Sequence, residues 1–147
     1  MRTTFVKEVT LFMKKQHIRC PYCGGTAVLR DASYVHGSKA KDGKVYVCCH
    51  YPACNSYVSV VKGTTIPQGT LANPDLRRKR ITAHRIFDQI WKQGILDRQE
   101  AYRWIADKFC LNSQQAHIGE FSDYMCGQLI KESLKVLKSN HVPLQAA

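Results

Sequence analysis

The chain has 147 residues, enough for one ordinary domain or two very small ones. Its 22 Lys/Arg against 11 Asp/Glu give a formal charge of +11, a balance that favours an acidic partner and carries no information about fold. Seven cysteines exclude a fully closed disulfide framework, and no apolar run approaches the roughly twenty residues a membrane span needs.

Residues 1–19, "MRTTFVKEVTLFMKKQHIR", read as a basic extension of weak periodicity. The apolar "VTLFM" within it is too short and too closely flanked by charge for a secretory signal. A reduced, cytoplasmic setting is therefore expected, and there clustered cysteines usually mean metal.

Residues 20–62 are rich in Cys, Gly, Tyr and Val, and "KVYV" and "NSYVSVV" predict short strands. Residues 63–74, "GTTIPQGTLANP", have the composition of a linker, with two glycines and two prolines. A helical domain is expected over 75–140. Asn73 and Pro74 suit a helix start, Ala83, Phe87, Ile90 and Trp91 recur at helical spacing, and Gly94 is a stop. Asp97 with Glu100 forms a capping box ahead of a face carrying Ala101, Tyr102, Ile105, Ala106 and Phe109. Asn112 and Ser113 turn the chain, and a last helix runs from about Ser122 to Lys138 with Cys126, Leu129, Ser133 and Leu137 on one stripe. The expected class is α+β: a small ribbon of short antiparallel strands, then three to four helices. The ten Lys/Arg and three Asp/Glu up to Thr70 give that part a net charge of +7, against +4 for the remainder.

Cys20-x2-Cys23 is half of a tetrahedral metal site, and a second cysteine group about 25 residues later supplies the other half. Gly24 and Gly25 permit the tight turn that aims backbone N–H groups at the sulfurs. Metal binding would then help to fold a segment too small for a core of its own. Spacing leaves the second half open: Cys48 with Cys54, Cys49 with Cys54, and His50 with Cys54 all fit. Alternation in "KVYVC" puts Tyr46 and Cys48 on one face and Val45 and Val47 on the other, without deciding among them.

"CPYCGG…VYVCCHYPAC" resembles the C-terminal zinc ribbons of bacterial type IA DNA topoisomerases, which carry C-P-x-C-G, a glycine-containing hairpin and C-x-x-Y-P-x-C. The resemblance implies Zn2+ held by Cys20, Cys23, Cys48 and Cys54, with Cys49 a bystander thiol and His50 a surface or supporting residue. From "CPYCG" through "PQGTLAN", "LRRKRITAH", "FDQIW", "AYRWIA" and "AHIG" the chain also resembles a phage and prophage family described only as a zinc-finger-containing domain of unknown function. That likeness implies a phage protein in the cytoplasm of a bacterial host.

The other chemistry-bearing residues read as structural. His84 and Asp88 share a helix face, as a polar pair or as packing beside Trp91, with no identifiable nucleophile or third ligand. His117 suits a helix-end contact. Cys110 and Cys126 are expected on apolar helix faces. "AYRWIADKFCLNSQQAHIGEF" has some helix-turn-helix character, but its turn lacks glycine, and a plain helical hairpin fits better.

Ribbons of the topoisomerase type bind single-stranded DNA through basic and aromatic side chains, so the resemblance implies nucleic-acid contacts. The candidates are Arg19, Tyr22, Arg30, Lys39, Lys41, Lys44, Tyr51 and Lys62, with Tyr46 and Tyr57 nearby. Bases stack on aromatic faces while cations follow phosphates. "RRKR" (Arg77, Arg78, Lys79, Arg80) adds a possible phosphate contact. The alternative is a protein-binding phage factor acting on a host defence or replication enzyme. No catalytic residue and no membrane partner are expected.

Overall fold

The protein, analysed as a computed structural model, is described for residues 17–143; all but the last three positions of the expected N-terminal extension lie outside these residues. The chain divides into two compact units between Asn73 and Pro74.

The first unit is built on a three-stranded antiparallel sheet in chain order, β1 (Ala27–Asp31), β2 (Lys44–Cys48) and β3 (Tyr57–Ser59). Ala27 faces Cys48 and Asp31 faces Lys44 across β1–β2, and Tyr46 faces Val58 across β2–β3. β2 is central, so both of its edges are paired, and its side chains are covered on both faces: Val45, Tyr46, Val47 and Cys48 are all buried. A single helical turn, α1 (Ser33–His36), and a 3-10 turn (Gly37–Lys39) fill the β1–β2 connection. The core gathers Cys20, Ala27, Tyr46, Cys48, Val58, Val60 and Leu71, with Ile18 and Leu29 packed against it. Tyr46 is 1% exposed and donates its hydroxyl to the Thr65 carbonyl at 2.6 Å, so it is a core residue and offers no stacking surface.

The stretch 63–74 is not a free linker. Its main chain is sewn to the sheet by bridges between Val60 and Pro67 and between Tyr57 and Ala72, and by a Gln68 amide donating to the Ser59 carbonyl at 2.8 Å. Leu71 is fully buried in the core. Turn-forming composition describes the local bends here, while the pairing partners that fix the segment are distant in sequence.

The second unit is helical. α2 (Pro74–Lys92) begins at the expected proline. It ends in a Schellman motif: Gly94 has φ +75°, and the amides of Gly94 and Ile95 return to the carbonyls of Trp91 and Ile90. α3 (Arg98–Lys108) is capped by Asp97, which accepts from the Glu100 amide at 2.7 Å. After a 3-10 turn (Ile118–Glu120) comes α4 (Asp123–Ser139), whose N-cap Ser122 accepts from the Met125 amide. Ala83, Phe87 and Ile90 of α2, Ala101 and Ile105 of α3, and Cys126, Leu129 and Leu137 of α4 are buried. Phe87 meets Tyr102 edge-on at 5.2 Å and stacks on Trp104 at 6.4 Å, a geometry that aromatic quadrupoles favour.

No reading helix follows α3. Asn112 and Gln115 exchange hydrogen bonds, each amide donating to the other's side-chain oxygen at 3.0 and 2.8 Å, which closes a turn where a helix-turn-helix would start its second helix. Cys110 lies beyond the end of α3, exposed with φ +55°, and not on an apolar face. Among the described residues, no helix is long and apolar enough to cross a membrane.

Candidate metal centre

Two turns converge at one end of the sheet. The first is closed by the Cys20 amide donating to the Gly25 carbonyl at 2.7 Å and the Gly24 amide returning to the Cys20 carbonyl at 2.9 Å. An Arg19–Thr26 bridge and the Ala27 amide donating to the Ile18 carbonyl continue it, so the ribbon begins before Cys20. Gly24 sits at φ +75° and suits the left-handed region. Gly25 is needed for a different reason: a Cβ there would come within 2.9 Å of both Cys49 Sγ and His50 Nδ1. The second turn leaves β2 at Cys48, where the Tyr51 amide donates to the Cys48 carbonyl and the Cys54 amide to the His50 carbonyl.

The Sγ atoms of Cys20, Cys23, Cys48 and Cys54 all lie within 4.8 Å of one another. Cys20 and Cys54 are 3.6 Å apart, and Cys23 and Cys48 are 3.4 Å apart. A tetrahedral ion with metal–sulfur bonds near 2.3 Å places its sulfurs about 3.8 Å apart, so the donor set fits zinc in both number and spacing. Backbone amides support the sulfurs: Gly25 N lies 3.4 Å from Cys23 Sγ and His50 N 3.5 Å from Cys48 Sγ. Cys49 is exposed and outside this quartet, although Cys48, Cys49 and His50 also cluster with one another. His50 reaches the centre through its ring, with Nδ1 3.3 Å from Cys23 Sγ.

Ser56 is the supporting residue that sequence reading missed. It is fully buried, and its hydroxyl lies 3.2 Å from Cys54 Sγ and 3.6 Å from Cys20 Sγ, so it can donate to one of these thiolates. The only sequence signal is a serine two places after a ligand.

The four thiols are pulled in opposite directions. The His50 ring, then the Gly25 amide, bring Cys23 down to about 6. Burial pushes Cys20 up, but the Ser56 hydroxyl and the amides of Cys23 and Tyr22 outweigh it and hold the thiol below its ordinary value. Burial drives Cys48 strongly upward. Ser56 lowers Cys54, yet burial and the sulfurs of Cys20 and Cys23 leave it raised. Four sulfurs packed this closely resist ionising together, and a divalent cation removes that conflict.

The expected nucleic-acid residues separate by place. Lys39, Lys41, Lys44 and Lys62 line one groove of about 1380 Å³ in the first unit. The α1–β2 connection forms part of its wall and residues 59–68 another part; Lys44 also pairs with Asp31. Arg30 is exposed on β1. Tyr51 is half-buried, and Tyr22 is exposed with its hydroxyl accepting from the Asn73 amide at 3.1 Å. Arg19 is exposed beside the first turn.

The "RRKR" run belongs to the second unit and does not act as one surface. Arg78 pairs with Asp75, and Lys79 pairs with Asp123 at 3.1 Å. Arg80 is 9% exposed and donates from Nε and Nη2 to the Phe121 carbonyl at 3.1 and 3.0 Å. That removes Arg80 from the phosphate-contact set, because burial and a carbonyl partner occupy its guanidinium. Arg77 is partly buried.

His84 Nδ1 lies 4.0 Å from Asp88 Oδ1, which also accepts from Trp91 Nε1 at 3.2 Å. His117 is exposed beside the Tyr102 ring at 6.3 Å. Among the described residues, neither histidine joins a group able to hold a metal ion.

A family model described as a zinc-finger-containing domain matches residues 16–136. No curated protein and no solved structure matches the chain.

Proposed function

Because the chain belongs to the family of zinc-finger-containing domains, we propose that it is a zinc-stapled binding module of phage or prophage type. It works in a bacterial cytoplasm, where reducing conditions keep its thiols available to metal, and its partner is nucleic acid, with single-stranded DNA favoured. The carrying observation is the convergence of Lys39, Lys41, Lys44 and Lys62 on one groove. Lysines scattered along 24 positions of the sequence meet there, with Asp42 in the lining and Asp31 paired to Lys44 as the neighbouring carboxylates. A cationic groove of this kind follows a phosphate backbone and releases its counterions.

Binding, and not turnover, is the proposed mode of action. Four thiolates would complete a tetrahedral shell around zinc and leave it no open position for water or substrate. The zinc would be a staple: Cys20 and Cys23 from one turn and Cys48 and Cys54 from the other hold it, and it fixes the end of the sheet.

The test is anisotropy of labelled oligonucleotides with nuclease-treated, zinc-loaded protein across a salt series. Affinity that falls steeply as salt rises supports the reading; no binding even at low salt overturns it. In that event the protein-partner reading leads, favoured by Ile81 and Tyr124 of the helical unit, which are 58% and 71% exposed. Such apolar exposure would then be tested by capture from host lysate.

A further inference from the structure

Beside the lysine groove the first unit carries a connected set of flat side chains. The Arg30 guanidinium lies over the Tyr34 ring, 4.9 Å from its centroid. Tyr34 meets Tyr51 at 5.7 Å, Tyr51 meets Tyr57 edge-on at 6.5 Å, and Tyr57 meets His36 edge-on at 5.7 Å. Tyr51 and Tyr57 are half-buried and brace the set, whereas Tyr34 is 49% exposed and Arg30 is exposed too. The single turn α1 carries both Tyr34 and His36, and His36 also lines the groove. The flat set and the cationic groove are thus continuous through α1.

We propose that an unpaired base stacks on the Arg30–Tyr34 pair while Lys39, Lys41 and Lys62 hold the adjoining phosphates, so that the ribbon selects single-stranded nucleic acid over duplex. The inference rests on the nucleic-acid reading above and specifies its ligand. Lysines alone would accept any polyanion, including an acidic protein surface. A planar cation layered on an exposed phenol ring adds a preference that polyanions lacking bases do not satisfy. Bases of single strands stack on aromatic rings and on guanidinium planes. In a duplex those faces are covered by neighbouring base pairs, and only the phosphates remain to be held. DNA and RNA single strands share this chemistry.

The experiment uses the full, zinc-loaded chain and fluorescence anisotropy. The probes are oligothymidylate, oligouridylate, an abasic oligomer of equal length and a duplex of the same phosphate count. The variants are Tyr34→Ala, Tyr34→Leu, Lys39→Ala/Lys41→Ala and the control Tyr124→Ala, each checked for retained zinc. Wild type is expected to bind single strands more tightly than the abasic oligomer or the duplex. The thymidylate and uridylate arms cover both sugars, and tighter binding of either than of the abasic oligomer and the duplex supports the proposal. Tyr34→Ala should weaken single-strand binding about 5- to 150-fold and leave the abasic oligomer unaffected. Tyr34→Leu keeps bulk against Tyr51 and should show the same loss if stacking is the cause. The double lysine variant should weaken every probe and flatten the single-strand salt slope by about 1.4.

If wild type binds single strands but both Tyr34 variants match it, or if the duplex binds as tightly, this inference falls while the nucleic-acid reading stands. If wild type binds no probe at low salt, both fall.

Discussion

Cys48 and Cys49 are adjacent, yet the fold gives them unrelated fates. Cys48 is the last residue of β2, paired opposite Ala27 and buried with the core, whereas Cys49 is exposed beside Gly25. Cys48→Ser is therefore expected to abolish stoichiometric zinc, measured by metal analysis of purified protein, and Cys49→Ser to retain it. Retention in the first and loss in the second would reverse the assignment. Spacing alone could not separate these two cysteines; the fold does, by seating Cys48 in the core and leaving Cys49 exposed. Ser133 makes a different point. It sits on the buried stripe of α4, and its hydroxyl is the one buried side-chain oxygen or nitrogen without a hydrogen-bond partner among the described residues. An unsatisfied buried hydroxyl costs roughly 1–3 kcal/mol. Ser133→Ala should accordingly raise the thermal midpoint of the helical unit, and a lowered midpoint would show that the hydroxyl is satisfied in solution.

At the level of elements, α3 and α4 are linked by the Lys108–Glu132 pair at 3.4 Å, with Lys135 completing the cluster at 3.3 Å. Burial raises Glu132, but its hydrogen bonds from Lys135 and Lys108 outweigh that and hold the carboxyl below its ordinary value of 4.5. A depressed acid contributes stability that is fully present above its unfolded value and is lost as pH falls through its folded one. The gap in thermal midpoint between wild type and Glu132→Gln should thus be complete at neutral pH and close progressively below about 4.5. High salt should also narrow it, since both lysines are largely exposed. A gap that persisted unchanged at low pH would mean the glutamate acts through packing. The helices themselves were legible in the sequence, because Ala83, Phe87, Ile90, Cys126, Leu129 and Leu137 recur at the helical period and the caps Asp97 and Ser122 are local signals. The turn closed by Asn112 and Gln115 was less so, since its reciprocal bonds depend on conformation and leave no periodic trace. Tyr34 was overlooked for a related reason. It sits in one turn of helix between strands, and only the fold brings Arg30 and Tyr51 to its ring.

For the whole molecule, the division at Asn73 separates two cores with different supports. The helical unit rests on apolar faces. The ribbon is small, and a structural zinc contributes on the order of 10 kcal/mol to domains of this kind. Chelation is therefore expected to remove one thermal transition and leave the helical far-ultraviolet signal largely in place; loss of both together would show that the units unfold as one. The segment 63–73 was the part of the fold least legible in advance, because glycine and proline announce turns but cannot announce Leu71 as a core residue. Its seating on the sheet carries a consequence for turnover. In the folded ribbon its backbone is paired and Leu71 is enclosed, so a protease meets no extended chain there. If zinc is the staple that holds the ribbon folded, its removal is expected to release the same residues as a loose tether with the trypsin site Lys62 at its head. Limited digestion should then cut at Lys62 only after chelation. In a cell short of zinc, this segment would convert metal supply into protein lifetime, clearing the empty form while the loaded form survives.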